Sequence, residues 1–156
     1  MYILRVEKIT PETQQVYLNL VQAYEAEFSK ITEKPPNAEG LFELDTPLDE
    51  SHYGYIAYRE ETPIGLANIA LKPDNNFEVC EFYILPLYRK QNYGAVFAAK
   101  LWQMHTGHWE IKQIEGAEYA TTFWQKALKT AGISFEETAY LDAYWGYVTR
   151  QEFYNG

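Results

Sequence analysis

Residues 84–96 have the sequence ILPLYRKQNYGAV, which predicts a strand end, a basic turn and a helix start in direct succession. The preceding residues 77–84 are rich in aromatic and β-branched side chains and predict a buried strand. Pro86 ends that strand because proline has no N–H to donate to the ladder. A helix is predicted over residues 94–105, and its first turn would point free N–H groups and a positive dipole end at the basic turn. The stretch therefore predicts a site for a phosphate-type anion.

Size and composition favour one domain over residues 1–156. The chain is 47% apolar, enough for a hydrophobic core, and has a formal net charge of -9. An acidic surface argues against general nucleic-acid binding and agrees with a cationic substrate, although solubility alone also explains it. Cys80 is the only cysteine, which excludes an internal disulfide. Residues 1–9 lack a signal-peptide core and no segment is apolar over a membrane-spanning length, so we expect a cytoplasmic protein without a membrane partner.

The remaining sequence predicts alternating strands and helices. The first helix is expected to start at Thr10-Pro11-Glu12, with Thr10 as the cap, and to end before Lys34-Pro35, after which a loop runs to Ser51. A further helix is predicted over residues 117–131. The other strands are predicted at residues 2–9, 53–58, 64–71, 109–114, 133–139 and 145–149. The expected order is β-α-β-β-β-α-β-α-β-β.

Residues 84–94 resemble the pyrophosphate-binding segment of the GCN5-related N-acetyltransferase (GNAT) superfamily. That pattern is Arg or Gln, two residues, Gly, one residue, then Gly or Ala, and here it runs from Arg89 to Gly94. Asn92 stands where Gly is usual, and Asn is among the few other residues that accept a left-handed backbone. The resemblance, together with the order of elements, implies an α/β (α+β) GNAT acyl-CoA N-acyltransferase fold. Such a fold has a mixed, mostly antiparallel, twisted sheet with helices on both faces.

A second segment, ATTFWQK at residues 120–126, resembles the Ala-x-x-Phe-Tyr-x-Lys run on the last helix of that superfamily. In many members the Tyr is a general acid for the coenzyme thiolate. Trp124 holds its place here, and an indole N–H is not a useful acid near neutral pH. Ala117 replaces an Asn that often contacts the cofactor.

The resemblance implies acetyl-CoA as co-substrate. Its pantetheine arm would lie between the splayed fourth and fifth strands, bonded by backbone groups of Phe82 and Ile84. The N–H groups from Lys90 to Ala95 would hold the pyrophosphate. The implied cofactor-binding residues are Phe82, Tyr83, Ile84, Arg89, Lys90, Gln91, Asn92, Tyr93, Gly94 and Ala95.

Two carboxylates on the fourth strand are candidates for the general base. Glu78 lies where several GNAT enzymes carry a catalytic Glu, and it is equally well explained as a solvated strand residue. Alternation predicts that Glu78 and Cys80 share a face with Phe82 and Ile84. Glu81 lies between apolar neighbours, so its carboxylate must be paired, hydrogen-bonded or raised in pKa, as a structural anchor or as a base.

The general acid is not decided by the sequence. Tyr119, Tyr83, Tyr144 and Tyr147 are candidates, and water is an alternative because a thiol is a good leaving group. No metal is expected: His52, His105 and His108 lack an accompanying cluster of ligands, and a favourable helix dipole explains His105.

The expected function is acetyl-CoA-dependent N-acetylation of a primary amine, on a small cationic molecule, with help from a general base. Trp124 and Ala117 keep a second class open, a GNAT domain that binds acyl-CoA as a sensor or partner-binding module. Transfer of a longer acyl group is a third alternative. The expected partners are the amine acceptor and, since dimers are frequent in this superfamily, a second copy of the chain, but no nucleic acid.

Overall fold

Seven strands and three helices alternate along the part of the chain that the computed structural model describes, residues 3–156. In chain order they are β1 (Leu4–Lys8), α1 (Gln14–Thr32), β2 (His52–Arg59), β3 (Thr62–Lys72), β4 (Asn76–Ile84), α2 (Tyr93–Met104), β5 (Gly107–Ile114), α3 (Glu118–Thr130), β6 (Glu136–Asp142) and β7 (Gly146–Asn155). The predicted order of elements is confirmed. Tyr2, placed in the first strand by the sequence, lies outside the described residues.

The strands form one sheet in the order β1-β2-β3-β4-β5-β7-β6. Every neighbouring pair is antiparallel except β4 and β5, which are parallel because α2 forms the crossover between them. The sheet is therefore mixed and mostly antiparallel, as predicted.

Helices cover both faces of this sheet. On one face α1 packs through Tyr17, Leu20 and Val21 against side chains of β2, β3 and β4. On the other face α2 and α3 bury a larger core that includes Phe97, Trp102, Trp109, Trp124 and Leu128. None of the helices within residues 3–156 combines the length and the apolarity needed to cross a membrane.

Three elements have boundaries that differ from the sequence prediction by three residues or more. Helix α1 begins at Gln14 rather than at Thr10, because the backbone N–H of Thr10 donates to the side chain of Thr13 and a separate turn forms first. Strand β6 is shifted towards the C-terminus, to Glu136–Asp142. Strand β7 extends to Asn155, because its alternating polar residues still pair with β5 along the whole strand.

Strand β4 contains a bulge at Cys80. Asn68 pairs with Glu81 and Ile69 pairs with Val79, so Cys80 is left without a partner on β3. A bulge reverses the alternation of side chains. Val79 and Phe82 consequently face the same core, and the predicted common face for Glu78, Cys80, Phe82 and Ile84 is wrong.

Strands β4 and β5 pair only at their beginnings. Residues 76–79 of β4 match residues 108–111 of β5, and the pairing stops at Val79 and Ile111. Beyond that point residues from both strands line cavities instead of contacting each other along a ladder. The sheet is therefore open between the C-terminal ends of its two central strands.

Candidate active site

The basic turn has the backbone conformation that an anion site requires. A 3₁₀ turn at Pro86–Tyr88 follows β4, and Lys90 and Asn92 then adopt left-handed conformations, with φ of 62° and 70°. Asn92 is the residue before α2, and its left-handed backbone agrees with the expectation from its place in the motif.

The turn presents a row of free donors. Within residues 3–156, the next backbone N–H after that of Arg89 to donate to a carbonyl is that of Val96, which donates to Asn92 O at 3.2 Å. The N–H groups of residues 90–95 have no acceptor in the described chain. A helix start with unpaired N–H groups attracts anions through both hydrogen bonds and the helix dipole.

Gly94 allows α2 to approach α3 closely. A Cβ added at Gly94 would lie 2.8 Å from Cε1 of Phe123, which is closer than real Cβ atoms come to a neighbour. A side chain at this position would push the first turn of α2 away from α3. Gly94 thus sets the geometry of the donor row.

A cavity of about 730 Å³ extends from this turn into the opening between β4 and β5. Its walls come from the end of β4, the turn, the first turn of α2, and α3. The cofactor residues expected from the sequence are brought together here: Phe82, Tyr83, Ile84, Arg89, Lys90, Gln91, Asn92, Gly94 and Ala95 line the cavity. Tyr93 is buried beside them in the core of the sheet face that carries α2.

The edge of β4 turns backbone groups towards the opening, and of these the Ile84 O accepts a hydrogen bond from Arg89. Leu85 N–H donates to Ile64 O, and Leu85 lies directly opposite Ile64, so this is a hydrogen-bonded pair of the β3–β4 ladder. Hydrogen-bonded and non-hydrogen-bonded pairs alternate in antiparallel ladders. The backbone groups of Phe82 and Ile84 therefore point away from β3, into the cavity.

Arg89 is held by the protein itself. Its Nε donates to Ile84 O at 2.8 Å, and its Nη2 lies 2.9 Å from the Glu27 carboxylate on α1. Tyr83 also donates to Glu27, at 3.3 Å. Arg89 therefore fixes the turn against β4 and α1, and within the described residues Lys90 is the basic residue of the turn without a carboxylate partner.

A second cavity of about 400 Å³ meets the first in the opening. The two share Phe28, Phe82, Ala120 and Trp124 as lining residues. The second cavity reaches towards the loop after α1 and the turn between β6 and β7. A group carried along β4 in the first cavity would therefore meet a molecule held in the second.

Glu81 lines the second cavity and is almost completely buried, with 3% of its surface exposed. Its Oε2 makes no hydrogen bond within residues 3–156. Burial raises the pKa of this carboxyl to about 8, and the negative charges of Glu25 and Asp45 add to the shift. A carboxyl with such a pKa changes its protonation state near neutral pH, which is the property of a general base.

Glu81 belongs to a carboxylate cluster that the sequence analysis missed. Oxygens of Glu25, Asp45 and Glu81 lie within 4.8 Å of one another. The ammonium of Lys34 contacts two of them, at 2.8 Å from Glu25 Oε2 and 2.8 Å from Asp45 Oδ1. Burial raises the pKa of Glu25 as well. The signal in the sequence was the position of Glu25, four residues after Val21 on the apolar face of the helix.

Glu78, the other base candidate, also lines the second cavity, but its carboxylate is occupied. Lys72 Nζ lies 2.7 Å from Glu78 Oε1, and Lys112 Nζ lies 3.6 Å from Oε2. A base in this environment would have to act against two neighbouring positive charges. Glu81 differs from Glu78 because, within residues 3–156, no lysine contacts its carboxyl group.

The tyrosines proposed as acids lie in different places. Tyr119 is half exposed and lines the first cavity, where burial and then Glu27 raise its pKa. Tyr83 is buried on the face of α1. Tyr144 and Tyr147 are exposed at the turn between β6 and β7. Tyr119 and Tyr83 both border the cavity that holds the free N–H groups, and the Tyr83 hydroxyl already donates to Glu27.

Trp124 packs in the core at the junction of the two cavities. Its ring lies 4.8 Å from Phe82 and 4.9 Å from Phe123, centroid to centroid, and 5% of the residue is exposed. Ala117 is also buried. The residues that replace the usual Tyr and Asn therefore form walls of the site.

The three histidines have separate partners. His105 pairs with Tyr55 at 2.9 Å, His52 with Asp49 at 2.9 Å, and His108 with Glu152 at 3.5 Å. Within residues 3–156, the cluster whose spacing would suit a metal ion is that of Glu25, Asp45 and Glu81. In this cluster the positive charge comes from the Lys34 ammonium.

Comparisons with known proteins identify the family to which this open, mixed sheet belongs. A model of the "Acetyltransferase (GNAT) family" matches residues 17–112, and the chain belongs to that family. No curated protein matches the chain significantly.

Several solved structures share the fold. One is an N-acetyltransferase from Lactobacillus plantarum, with 14% identity, a TM-score of 0.69 and 97% of both chains covered. Another is a GNAT-family acetyltransferase from Bacteroides thetaiotaomicron, with 18% identity, a TM-score of 0.66 and 97% of this chain and 88% of that chain covered. A spermidine N-acetyltransferase chimera from Vibrio cholerae and hSSAT has 9% identity and a TM-score of 0.65, with 97% and 95% covered. At these identities the likeness concerns the fold.

Proposed function

We propose that the protein is an acetyl-CoA-dependent N-acetyltransferase that acetylates a primary amine of a small cationic molecule. One observation carries this proposal. The donor-rich cavity at the end of β4 and the carboxylate-lined cavity around Glu81 meet in the opening between β4 and β5. One cavity suits a phosphorylated coenzyme, the other an ammonium group, and the junction brings their reacting ends together.

In this proposal the coenzyme lies along the opening. The N–H groups of residues 90–95 bind the pyrophosphate, and Lys90 adds a positive charge beside it. The backbone groups of Phe82 and Ile84 bond the pantetheine arm as a neighbouring strand would. Arg89 acts by holding the turn in place through Ile84 O and Glu27.

Acetyl transfer then needs a free amine and a way to protonate the sulfur. Glu81 accepts a proton from the bound ammonium, and the amine nitrogen attacks the thioester carbonyl. The C–N bond forms, the C–S bond breaks, and the thiolate takes a proton from water or from Tyr119. We assign the base to Glu81 rather than to Glu78, because two lysines already neutralise the Glu78 carboxylate.

The alternative is a GNAT domain that binds acyl-CoA without turnover. The burial of Trp124 and Ala117 favours it, since the positions of the usual acid and of a usual cofactor contact are filled by apolar walls. Such a domain would keep the coenzyme cavity and would have no need for an unpaired buried carboxylate in the second cavity.

Calorimetric titration with acetyl-CoA and with CoA, followed by thiol release against a panel of amines, tests both. We expect micromolar binding of acetyl-CoA and thiol release with cationic primary amines. Binding without release across the panel would favour the sensor. No binding of either coenzyme would overturn both functions.

Two variants test the coenzyme site in the same titration. Gly94→Glu adds bulk and negative charge beside the free N–H groups. Gln91→Glu adds negative charge without bulk at an exposed position and removes the hydrogen bond from Gln91 Nε2 to Leu87 O. Both should weaken acetyl-CoA binding at least about tenfold through repulsion of the pyrophosphate. Ala38→Glu, in the exposed loop after α1, is the control for the charge change. Unchanged affinity in Gln91→Glu with folded protein would contradict the assigned turn.

A further inference from the structure

The inner end of the second cavity holds more carboxyl groups than the protein itself pairs with cations. Three carboxylates, Glu25, Asp45 and Glu81, face one ammonium, that of Lys34. Glu81 is the member that Lys34 does not contact, and its buried Oε2 has no partner within residues 3–156. A buried acceptor without a partner in the protein is expected to receive a hydrogen bond from a bound ligand.

The side wall of the cavity is electrically balanced. Glu78 and Lys112 line this wall, and they form an ion-pair network with Lys72 and Glu110, with N···O distances from 2.6 to 3.6 Å. Two negative and two positive groups cancel there. This wall therefore offers no net attraction to a cation passing along the cavity.

Another carboxylate lies at the mouth. Asp142 lines the cavity at the end of β6, and its Oδ1 accepts the backbone N–H groups of Tyr144 at 2.8 Å and Trp145 at 2.9 Å. These hydrogen bonds lower the pKa of Asp142, so its carboxylate is charged at neutral pH. Trp145 lines the same mouth, and an indole ring attracts cations.

The walls between these two ends are largely apolar. They are formed by Tyr24, Phe28, Val79, Phe82, Ile111, Ile114, Trp124, Tyr140 and Val148. Such walls suit a hydrocarbon linker, which would gain by leaving water. The cavity therefore combines carboxyl groups at both ends with mostly apolar walls between them.

We infer that the acceptor is a diamine, with two ammonium groups joined by an alkyl chain. The reacting amine is bound at Glu81, and the second ammonium is bound at the mouth by Asp142 and Trp145. This inference rests on the proposed function and narrows its acceptor to one substrate class. A monoamine of the same length would fill the apolar middle and leave Asp142 without its partner.

The test compares acceptors that differ only in the second ammonium. Initial rates of thiol release from acetyl-CoA are measured with 1-aminobutane, 1,4-diaminobutane, 1-aminohexane and 1,6-diaminohexane. We expect kcat/KM for at least one diamine to exceed that of its matched monoamine by about tenfold, the factor given by one additional favourable ionic contact. The difference should lie mainly in KM.

Asp142→Asn tests the assignment of the mouth. Asparagine keeps an oxygen for the N–H groups of Tyr144 and Trp145 and removes the charge, so the turn is preserved. The diamine-to-monoamine ratio should fall to about one in this variant, since the tenfold advantage came from the charge. Glu136→Gln removes an exposed carboxylate from the same strand and should retain the wild-type ratio.

The outcomes separate the inference from the function on which it rests. Equal kcat/KM for matched monoamines and diamines would overturn the diamine assignment and leave the acetyltransferase in place. A diamine preference that survives in Asp142→Asn would overturn the mouth subsite. Acetyl-CoA binding without acetylation of any amine would overturn the proposed function, and the diamine inference with it.

Discussion

At the scale of single residues, Glu81 determines the expected pH dependence. Its pKa of about 8 means that the carboxyl is protonated, and inactive as a base, in most free enzyme molecules at pH 7. Raising the pH through about 8 converts it to the active carboxylate. The kcat/KM for the amine substrate should therefore rise with pH and level off above about pH 8, which gives a bend in the pH profile near 8. This pH is well below the ordinary pKa of an alkylamine, which is about 10.4 for the lysine side chain.

Glu81→Gln should remove that bend and lower kcat by about 10² to 10⁴, the usual contribution of a general base. Rates are measured from pH 6 to pH 10 with constant ionic strength. Glu78→Gln is the matched comparison on the same strand and should keep the bend near pH 8. The reverse result, a bend lost in Glu78→Gln and kept in Glu81→Gln, would move the base to Glu78.

Trp124 separates a structural role from a catalytic one. It packs against Phe82 and Phe123, so Trp124→Phe should leave a void and destabilise the protein by about 1–3 kcal/mol. The kcat at 25 °C should stay within about twofold of wild type, because the indole has no proton to give at this pH. Urea denaturation and steady-state rates measure the two effects. A folded variant with a large loss of kcat would show that the indole takes part in the reaction.

At the scale of elements, Lys34 holds the loop after α1, residues 33–51, over the second cavity. The Lys34 ammonium donates to Glu43 O at 2.6 Å and to Asp45 at 2.8 Å, and it also reaches the buried Glu25. The Gln22 side chain adds two hydrogen bonds to the backbone of Phe42. This loop contains no helix or strand of its own among residues 33–51, so these contacts fix its position.

Lys34→Met should therefore loosen the acceptor side and leave the coenzyme side intact. We expect KM for the amine to rise about tenfold and KM for acetyl-CoA to change less than about twofold, since one buried ion-pair network is lost far from the turn. Lys30→Met, an exposed lysine in the last turn of α1, is the control. Equal changes in both KM values would indicate a general loss of structure instead.

The elements also show which features the sequence could predict. The turn at residues 84–96 was predictable, because Pro86 and Asn92 each impose a backbone requirement that acts locally. The bulge at Cys80 was not, because it arises from the pairing of β4 with β3 and leaves no local signal. The face on which Glu78 lies was predicted wrongly for that reason.

The candidate site also has one part that the sequence could predict and one part that it could not. Its coenzyme side lies within one continuous segment and was predictable in outline. Its acceptor side assembles Glu25, Lys34 and Asp45 around Glu81 from three separate stretches of chain. Only the packing of α1 and its following loop on the sheet brings them together, so spacing along the sequence could not predict the cluster.

At the scale of the whole molecule, the sheet consists of two parts, β1–β4 and β5–β7. They are joined by four residue pairs between β4 and β5. The amides of Phe82 and Ile84 face the opening, while Tyr83 lies in a hydrogen-bonded pair with Leu66. Amide hydrogen exchange should therefore be fast at Phe82 and Ile84 in the free protein and slow at Tyr83. Acetyl-CoA should slow exchange at the first two by at least about tenfold and leave Tyr83 slow. Exchange rates in the free protein that do not alternate along residues 82–84 would contradict the assigned position of the pantetheine arm.

The short joint between the two parts of the sheet has a further consequence. In the proposed complex the coenzyme supplies the hydrogen bonds that a neighbouring strand would otherwise give to the end of β4. Binding would then couple two halves that are otherwise linked by little backbone pairing, and the free energy of binding would add to the resistance of the fold to unfolding. The lifetime of this protein against heat or proteolysis would follow the supply of acyl-coenzyme, so that its abundance reports on the metabolite it consumes.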